Sequence, residues 1–259
     1  MNNSPIGIFD SGIGGLSVLK EINRVLPNEN TIYLADNKNC PYGNKDISDI
    51  IKLSLKNASV LIKMNCKIIV VACNTATTNA IKEIRNSFTV PVIGIEPAIK
   101  PAILNTKTNK IGVLATEMTL TSSLFNQTSN KFSDNIEIIE QIGFGLVNLI
   151  EKGDINTENT KQLLKSYIDP MLDSNIDQLV LGCTHYHFLI PIIRQIIPEK
   201  ITIQDPNKAI AKQIKKILKS ENLENTLKSN CKNKVYANGN TEIINNIINS
   251  NGEVNSLDF

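Results

Sequence analysis

Tryptophan is absent from this 259-residue chain, and aromatic residues make up only 5% of it. A surface built to stack nucleobases needs such rings, so nucleic acid is not an expected partner. A charge excess is missing too: 27 Lys and Arg stand against 25 Asp and Glu, a net +2. That balance gives no broad field for nucleic acid or an anionic membrane. No apolar run approaches the ~20 residues of a membrane span. The opening M-N-N-S-P-I-G-I-F-D enters a strand at once and has neither the charge nor the apolar core of a signal peptide. A cytoplasmic location without membrane association is expected. The five cysteines (Cys40, Cys66, Cys73, Cys183, Cys231) are odd in number and scattered, which suits free thiols in a reducing compartment. The length allows one large or two modest domains.

What is present centres on Lys67 to Thr78, K-I-I-V-V-A-C-N-T-A-T-T. Ile68 to Ala72 is an unbroken apolar run, the pattern of a parallel strand buried on both faces. Cys73, Asn74 and Thr75 follow, and Thr77 to Arg85 has helical spacing. A thiol thus falls at the carboxyl end of a strand and the mouth of a helix, where open α/β sheets bind ligands. The helix N-terminus is expected to lower the thiol's pKa. The plain alternative is a buried Cys followed by an ordinary cap.

This stretch has an echo. Asp177 to Pro191, D-Q-L-V-L-G-C-T-H-Y-H-F-L-I-P, again runs a strand into Cys183, Thr184 and His185. A helix and a strand follow each Cys, then an acid-Pro pair, Glu96-Pro97 and Asp205-Pro206, 23 and 22 residues on. Ile6–Asp10 and Ile111–Ala115 each read as the first strand of a half. The chain reads as one βα design used twice. The expected fold is α/β, with two similar open, mostly parallel sheets flanked by helices, related by a pseudo-twofold axis, and a site in the cleft between them. The first domain is residues 1–97 plus 208–259, whose last ~50 residues return to complete its sheet; the second is 98–207. Pro191 suggests a kink or early stop in the helix after Cys183. Residues 219–234 are patternless and 249–259 read as a loose tail.

Two thiols facing one cavity can do acid–base chemistry. One thiolate takes a proton from a carbon, and the opposite thiol returns one to the other face. That inverts a stereocentre without a cofactor or metal. Asp10, at the end of the first strand, and His185 are candidates to tune the thiols. Ser11, Asn74, Thr75, Thr184 and the backbone amides of Tyr42 and Gly43 can hold a carboxylate. The Asp10–Gly15 loop is neither a dinucleotide fingerprint, since Ser17 takes the last Gly position, nor a P-loop, since no G-K-[ST] follows. Cys40, Cys66 and Cys231 read as structural, and His187 as a packed or surface residue.

The motifs F-D-S-G-I-G-G-L-S-V (9–18), A-D-N-K-N-C-P-Y-G (35–43), A-C-N-T-A-T (72–77), I-E-P (95–97) and L-G-C-T-H-Y (181–186) resemble the aspartate/glutamate racemase family, the glutamate racemases in particular. The resemblance spans about residues 6 to 206, and V-Y-A-N-G (235–239) also fits. It implies cofactor-independent, two-base interconversion of L- and D-glutamate for peptidoglycan precursors, with homodimers common. By it, Cys73 acts on the D-isomer and Cys183 on the L-isomer. Asp10, His185 and Glu151 assist. Asp10, Ser11, Pro41, Tyr42, Gly43, Asn74, Thr75, Thr116, Thr184 and His185 contact substrate. The chain departs from the family pattern at 115–119, at His187 and in G-F-G-L-V-N (143–148), just before Glu151. Other readings are an aspartate racemase or another two-Cys epimerase, a metal protein using Cys183, His185 and His187 with another Cys, and a small-anion binding module.

Overall fold

A computed structural model describes residues 3–132, 135–225, 231–248 and 253–259. The first half begins with β1 (Ile6–Asp10), α1 (Leu16–Val25), β2 (Thr31–Ala35), α2 (Ile47–Lys63), β3 (Ile68–Val71), α3 (Asn74–Ser87) and β4 (Val92–Gly94). A short helix, α4 (Ile99–Asn105), crosses to the second half. There β5 (Lys110–Ala115), α5 (Glu117–Leu120), α6 (Ser123–Phe132), β6 (Glu137–Ile142), α7 (Leu146–Glu151) and α8 (Glu158–Asp173) lead to β7 (Gln178–Gly182). A 3-10 turn (Thr184–Leu189), α9 (Ile190–Ile196) and β8 (Thr202–Gln204) complete it. The chain then returns through α10 (Asn207–Ser220), β9 (Asn233–Ala237), α11 (Glu242–Ile248) and β10 (Glu253–Ser256).

The strands form two sheets, in the orders β10-β9-β2-β1-β3-β4 and β6-β5-β7-β8. Every pairing is parallel. Parallel strands must be buried on both faces, which is why β3 is apolar throughout and β1 and β7 are so apart from the terminal Asp10 and Gln178. Alternate residues feed different cores: Ile6, Ile8, Ile68 and Val70 face one, Phe9, Ile69 and Val71 the other. The first of these cores runs on into the second half through Leu114, Leu179, Leu181 and Tyr186. The two sheets therefore share packing, and the carboxyl ends of β1, β3, β5 and β7 meet.

A buried ion pair fastens the return. Lys67 Nζ lies 2.6 Å from Glu29 Oε2, both side chains almost fully enclosed. The Asn225 amide donates to the other Glu29 oxygen at 2.8 Å.

Three expectations change. The tail is not loose where it is described: Val254 to Ser256 pair in register with Val235 to Ala237. Its signal was too polar and too short to read, and pairing with β9 supplies its stability. The residues from 226 to 230 and from 249 to 252 lie outside the described ones, so that part of the patternless and tail readings is not addressed. The segment after Cys183 is not an α-helix at first but a 3-10 turn. Pro191 has no N–H to bond the His187 carbonyl, so an α-helix cannot run through from Thr184, and Pro191 instead sits in the first turn of α9.

Candidate active site

One small cavity lies between the two sheets' carboxyl ends. Ser11, Pro41, Tyr42, Gly43, Cys73, Asn74 and Thr75 line it from the first half, and Thr116, Val147, Cys183, Thr184 and His185 from the second. Eleven of these twelve residues were expected from the sequence. Val147 was missed, although it sits four residues before Glu151 on the same helix face. The free volume is about 10 Å3, room for about one water molecule. An adjoining hollow of about 30 Å3 shares Pro41, Gly43, Thr116 and Val147 with it and reaches the surface at Phe144.

Each wall has its own electrostatics. Cys73 is the N-cap of α3, and its sulfur accepts from the Ala76 amide at 3.4 Å. Its thiol points at Ser11 Oγ, 3.8 Å away. Burial nonetheless pushes the Cys73 thiol up to about 12, helped by the charge of Asp10. The expected lowering by the helix N-terminus is thus reversed, because the site is too dry for one backbone donor to compensate. On the other wall, Cys183 Sγ lies 3.8 Å from His185 Nδ1. The second nitrogen, Nε2, is 2.6 Å from Glu151 Oε1. Burial alone would lower the His185 pKa, but hydrogen bonds to Cys183, Cys40 and Glu151 outweigh it and hold it well above its usual value. Burial likewise works against the Glu151 charge, and His185 and the Ile13 amide bring its carboxyl below the usual range. Both shifts favour the charged forms of Glu151 and His185, with the other ring nitrogen of His185 facing Cys183.

Asp10 and Glu151 do not line the cavity. Asp10 is wholly buried behind it, accepting from the Gly12 amide at 2.8 Å and from Thr184 Oγ1 at 2.9 Å. Desolvation raises its pKa to about 6. Asp10 bonds Thr184 and Glu151 bonds His185, so each acid meets the cavity only through a residue that lines it. The Asp10–Thr184 bond also joins the halves, as does the Ile13 amide on Glu151 at 2.8 Å. A hydroxyl triangle adds to this: Thr116 lies 2.9 Å from both Thr75 and Thr119. Close approach needs Gly14, where a Cβ would fall 2.5 Å from His185 Nδ1.

The loop carrying Tyr42 and Gly43 is tied from behind. The Tyr42 hydroxyl donates to Asp36 Oδ2 at 2.5 Å, so it is not free to meet a ligand; the residue offers its backbone instead. Asp36 Oδ1 takes Asn39 at 2.7 Å and Asn238, beyond β9, at 2.5 Å. Asn74 Nδ2 donates to the Ile95 carbonyl at 3.4 Å, while its Oδ1 is buried and has no partner in the protein. An orphaned acceptor at a cavity wall costs about 1–3 kcal/mol and marks a place for a ligand donor. His187 plays no part: its nitrogens face the Thr184 carbonyl at 3.2 Å and Asp205 at 3.1 Å. Cys183, His185 and His187 therefore do not converge as metal ligands.

Two thiols from like halves open on one cavity lined by polar groups of both, an arrangement suited to an enzyme of the isomerase class. Comparison with known proteins agrees. The model of the Asp/Glu/Hydantoin racemase family matches residues 6–214, and the chain belongs to that family. A glutamate racemase of Ralstonia pickettii (strain 12J) is 44% identical over 221 residues, 85% of this chain and 78% of that protein. Among solved structures, a glutamate racemase isoform from Bacillus anthracis superposes with a TM-score of 0.89 at 29% identity, covering 100% of this chain and 99% of that one. The Escherichia coli glutamate racemase, solved with L-glutamate and the activator UDP-MurNAc-ala, gives 0.86 at 31% identity, with 98% of each chain covered. Among the described residues no helix is long and apolar enough to cross a membrane.

Proposed function

We propose that this protein interconverts L- and D-glutamate by a two-base mechanism that needs no cofactor, serving peptidoglycan precursor synthesis in the cytoplasm. The observation that carries the reading is the convergence of Cys73 and Cys183 on one cavity lined by polar groups of both halves. The substrate of the relatives supplies glutamate as the ligand. The working domains are residues 1–97 plus 208–259 and residues 98–207, closing on the amino acid between them, and two copies pair as a homodimer.

Cys73 and Cys183 flank the α-carbon. For the L-isomer, Cys183 is the base: its thiolate takes the α-proton, forming an S–H bond as the C–H bond breaks. The electron pair passes into the substrate carboxylate, and Cys73 delivers its own proton to the opposite face. The D-isomer runs the same steps in reverse. Burial keeps Cys73 protonated, as an acid must be, and the Glu151–His185 pair holds a movable proton beside Cys183. The substrate ammonium fits the orphaned Asn74 Oδ1. Its carboxylates suit Ser11, Thr75, Thr116 and Thr184 and the Tyr42 and Gly43 amides.

The test is a panel of L-Glu, D-Glu, L-Asp and D-Asp, assayed in heavy water without pyridoxal phosphate or metal. Racemisation of glutamate with α-deuterium uptake is expected, and Cys73→Ala and Cys183→Ala should each abolish turnover. Activity surviving in both single variants would overturn the two-base reading.

A further inference from the structure

A second constellation stands behind the Cys183 wall. Cys40 Sγ, a nitrogen of His185 and a carboxylate oxygen of Glu151 all lie within 4.8 Å of one another. Among the described residues this is the one group of three or more His, Cys, Asp or Glu side chains so placed. Cys40 itself does not line the cavity; it hydrogen-bonds His185 from behind it.

A thiolate, an imidazole nitrogen and a carboxylate oxygen are a zinc donor set. Such sites use three protein ligands and an open fourth position. Zinc bonds of about 2.0–2.3 Å set ligand atoms roughly 3.3–3.7 Å apart at tetrahedral angles. The 2.6 Å contact between His185 and Glu151 would widen by about 1 Å, with Cys40 Sγ already within 4.8 Å of both. The Glu151 side chain is 17% exposed, which leaves an ion a way in from solvent. Sulfur in the set selects zinc or cadmium over magnesium and calcium.

We infer that Cys40, Glu151 and His185 form an inhibitory site for a zinc-class divalent cation. The ion takes the place of the proton shared by His185 and Glu151. His185 can then no longer carry a proton to Cys183, and Glu151 is drawn off the Ile13 amide that helps close the halves. The ion is an off-switch set into the wall of the active site and has no part in turnover.

The experiment titrates chelator-treated protein with zinc by calorimetry and with cadmium by its ultraviolet thiolate charge-transfer band. One tight equivalent per chain is expected, with racemisation inhibited in step. Cys40→Ser should weaken binding by more than about tenfold, the loss seen when a mere supporting partner is removed. It should also abolish zinc inhibition. Cys73→Ala should keep the tight equivalent. Equal affinity in Cys40→Ser, loss of the site in Cys73→Ala, or no binding at micromolar zinc would each overturn the assignment. The metal readouts need no turnover, so they stand apart from the fate of the glutamate reading.

Discussion

Asp10 is a buried carboxylate that the fold holds at a cost, and removing its charge should make the protein more stable. Its pKa is about 6 in the folded protein against 3.8 for the free group. The folded state therefore binds the proton more tightly than the unfolded chain does. Stability from this site is complete below pH 3.8 and is lost as pH rises through about 6. The gap, at 1.36 kcal/mol per pH unit, is about 3 kcal/mol once the group is ionised in both states. Asp10→Asn cannot ionise and escapes the loss. Its amide oxygen can still accept from Gly12, and its NH2 can donate to Thr184 Oγ1, which now accepts in place of donating. The variant should exceed wild type by about 3 kcal/mol at pH 8 but by only about 1 kcal/mol at pH 4.5, where the folded wild type is already protonated. Urea unfolding followed by circular dichroism at the two pH values measures both differences. Turnover should fall at the same time, because Thr184 loses the charge that orients it. An advantage of equal size at both pH values, or a variant less stable than wild type at pH 8, would refute the reasoning.

The other expectations concern the walls and the return segment. Glu151→Gln removes the anion that pairs with His185, so the His185 cation is lost at lower pH. The alkaline limb of the activity profile should move down, with kcat lower by on the order of 10–100-fold, less than a missing acid–base group costs. Gly14→Ala places a methyl 2.5 Å from His185 Nδ1, 2.6 Å from Thr184 Oγ1 and 2.7 Å from the His185 backbone nitrogen, so turnover should fail and urea unfolding should show a loss of about 1–3 kcal/mol. Glu29→Gln leaves the Lys67 ammonium buried without its anion and should cost about 3–5 kcal/mol in the same unfolding assay, with KM unchanged in the surviving folded fraction.

The parts of this molecule that could be read from sequence are those in which a local rule decides. β1, β3 and β7 must be apolar on both faces, so they stand out as runs, and the residues just after them fall at the sheet's carboxyl end whatever else happens. Cys73 and Cys183 were placed by that rule alone. The pKa of Cys73 was not, because its burial depends on a second half with no local signature near residue 73. Glu151 reaches Ile13 across 138 residues and His185 across 34, so no spacing could announce those bonds. Cys40 read as structural for the same reason, since its neighbours come from α7 and from the turn after β7. β10 was missed because E-V-N-S carries one apolar residue; its strand character is lent by β9.

The order of strands in the first sheet has a consequence for synthesis. Thr31 bonds Asn233, and Asp36 bonds Asn238, each across 202 residues. A ribosome delivers about 5–20 residues per second, so the Tyr42 loop emerges roughly 10–40 s before the strand that clasps it. During that interval β2 is an open edge on a nascent chain. An unpaired edge of this kind invites pairing with another strand, and the docking of β9 on β2 removes it.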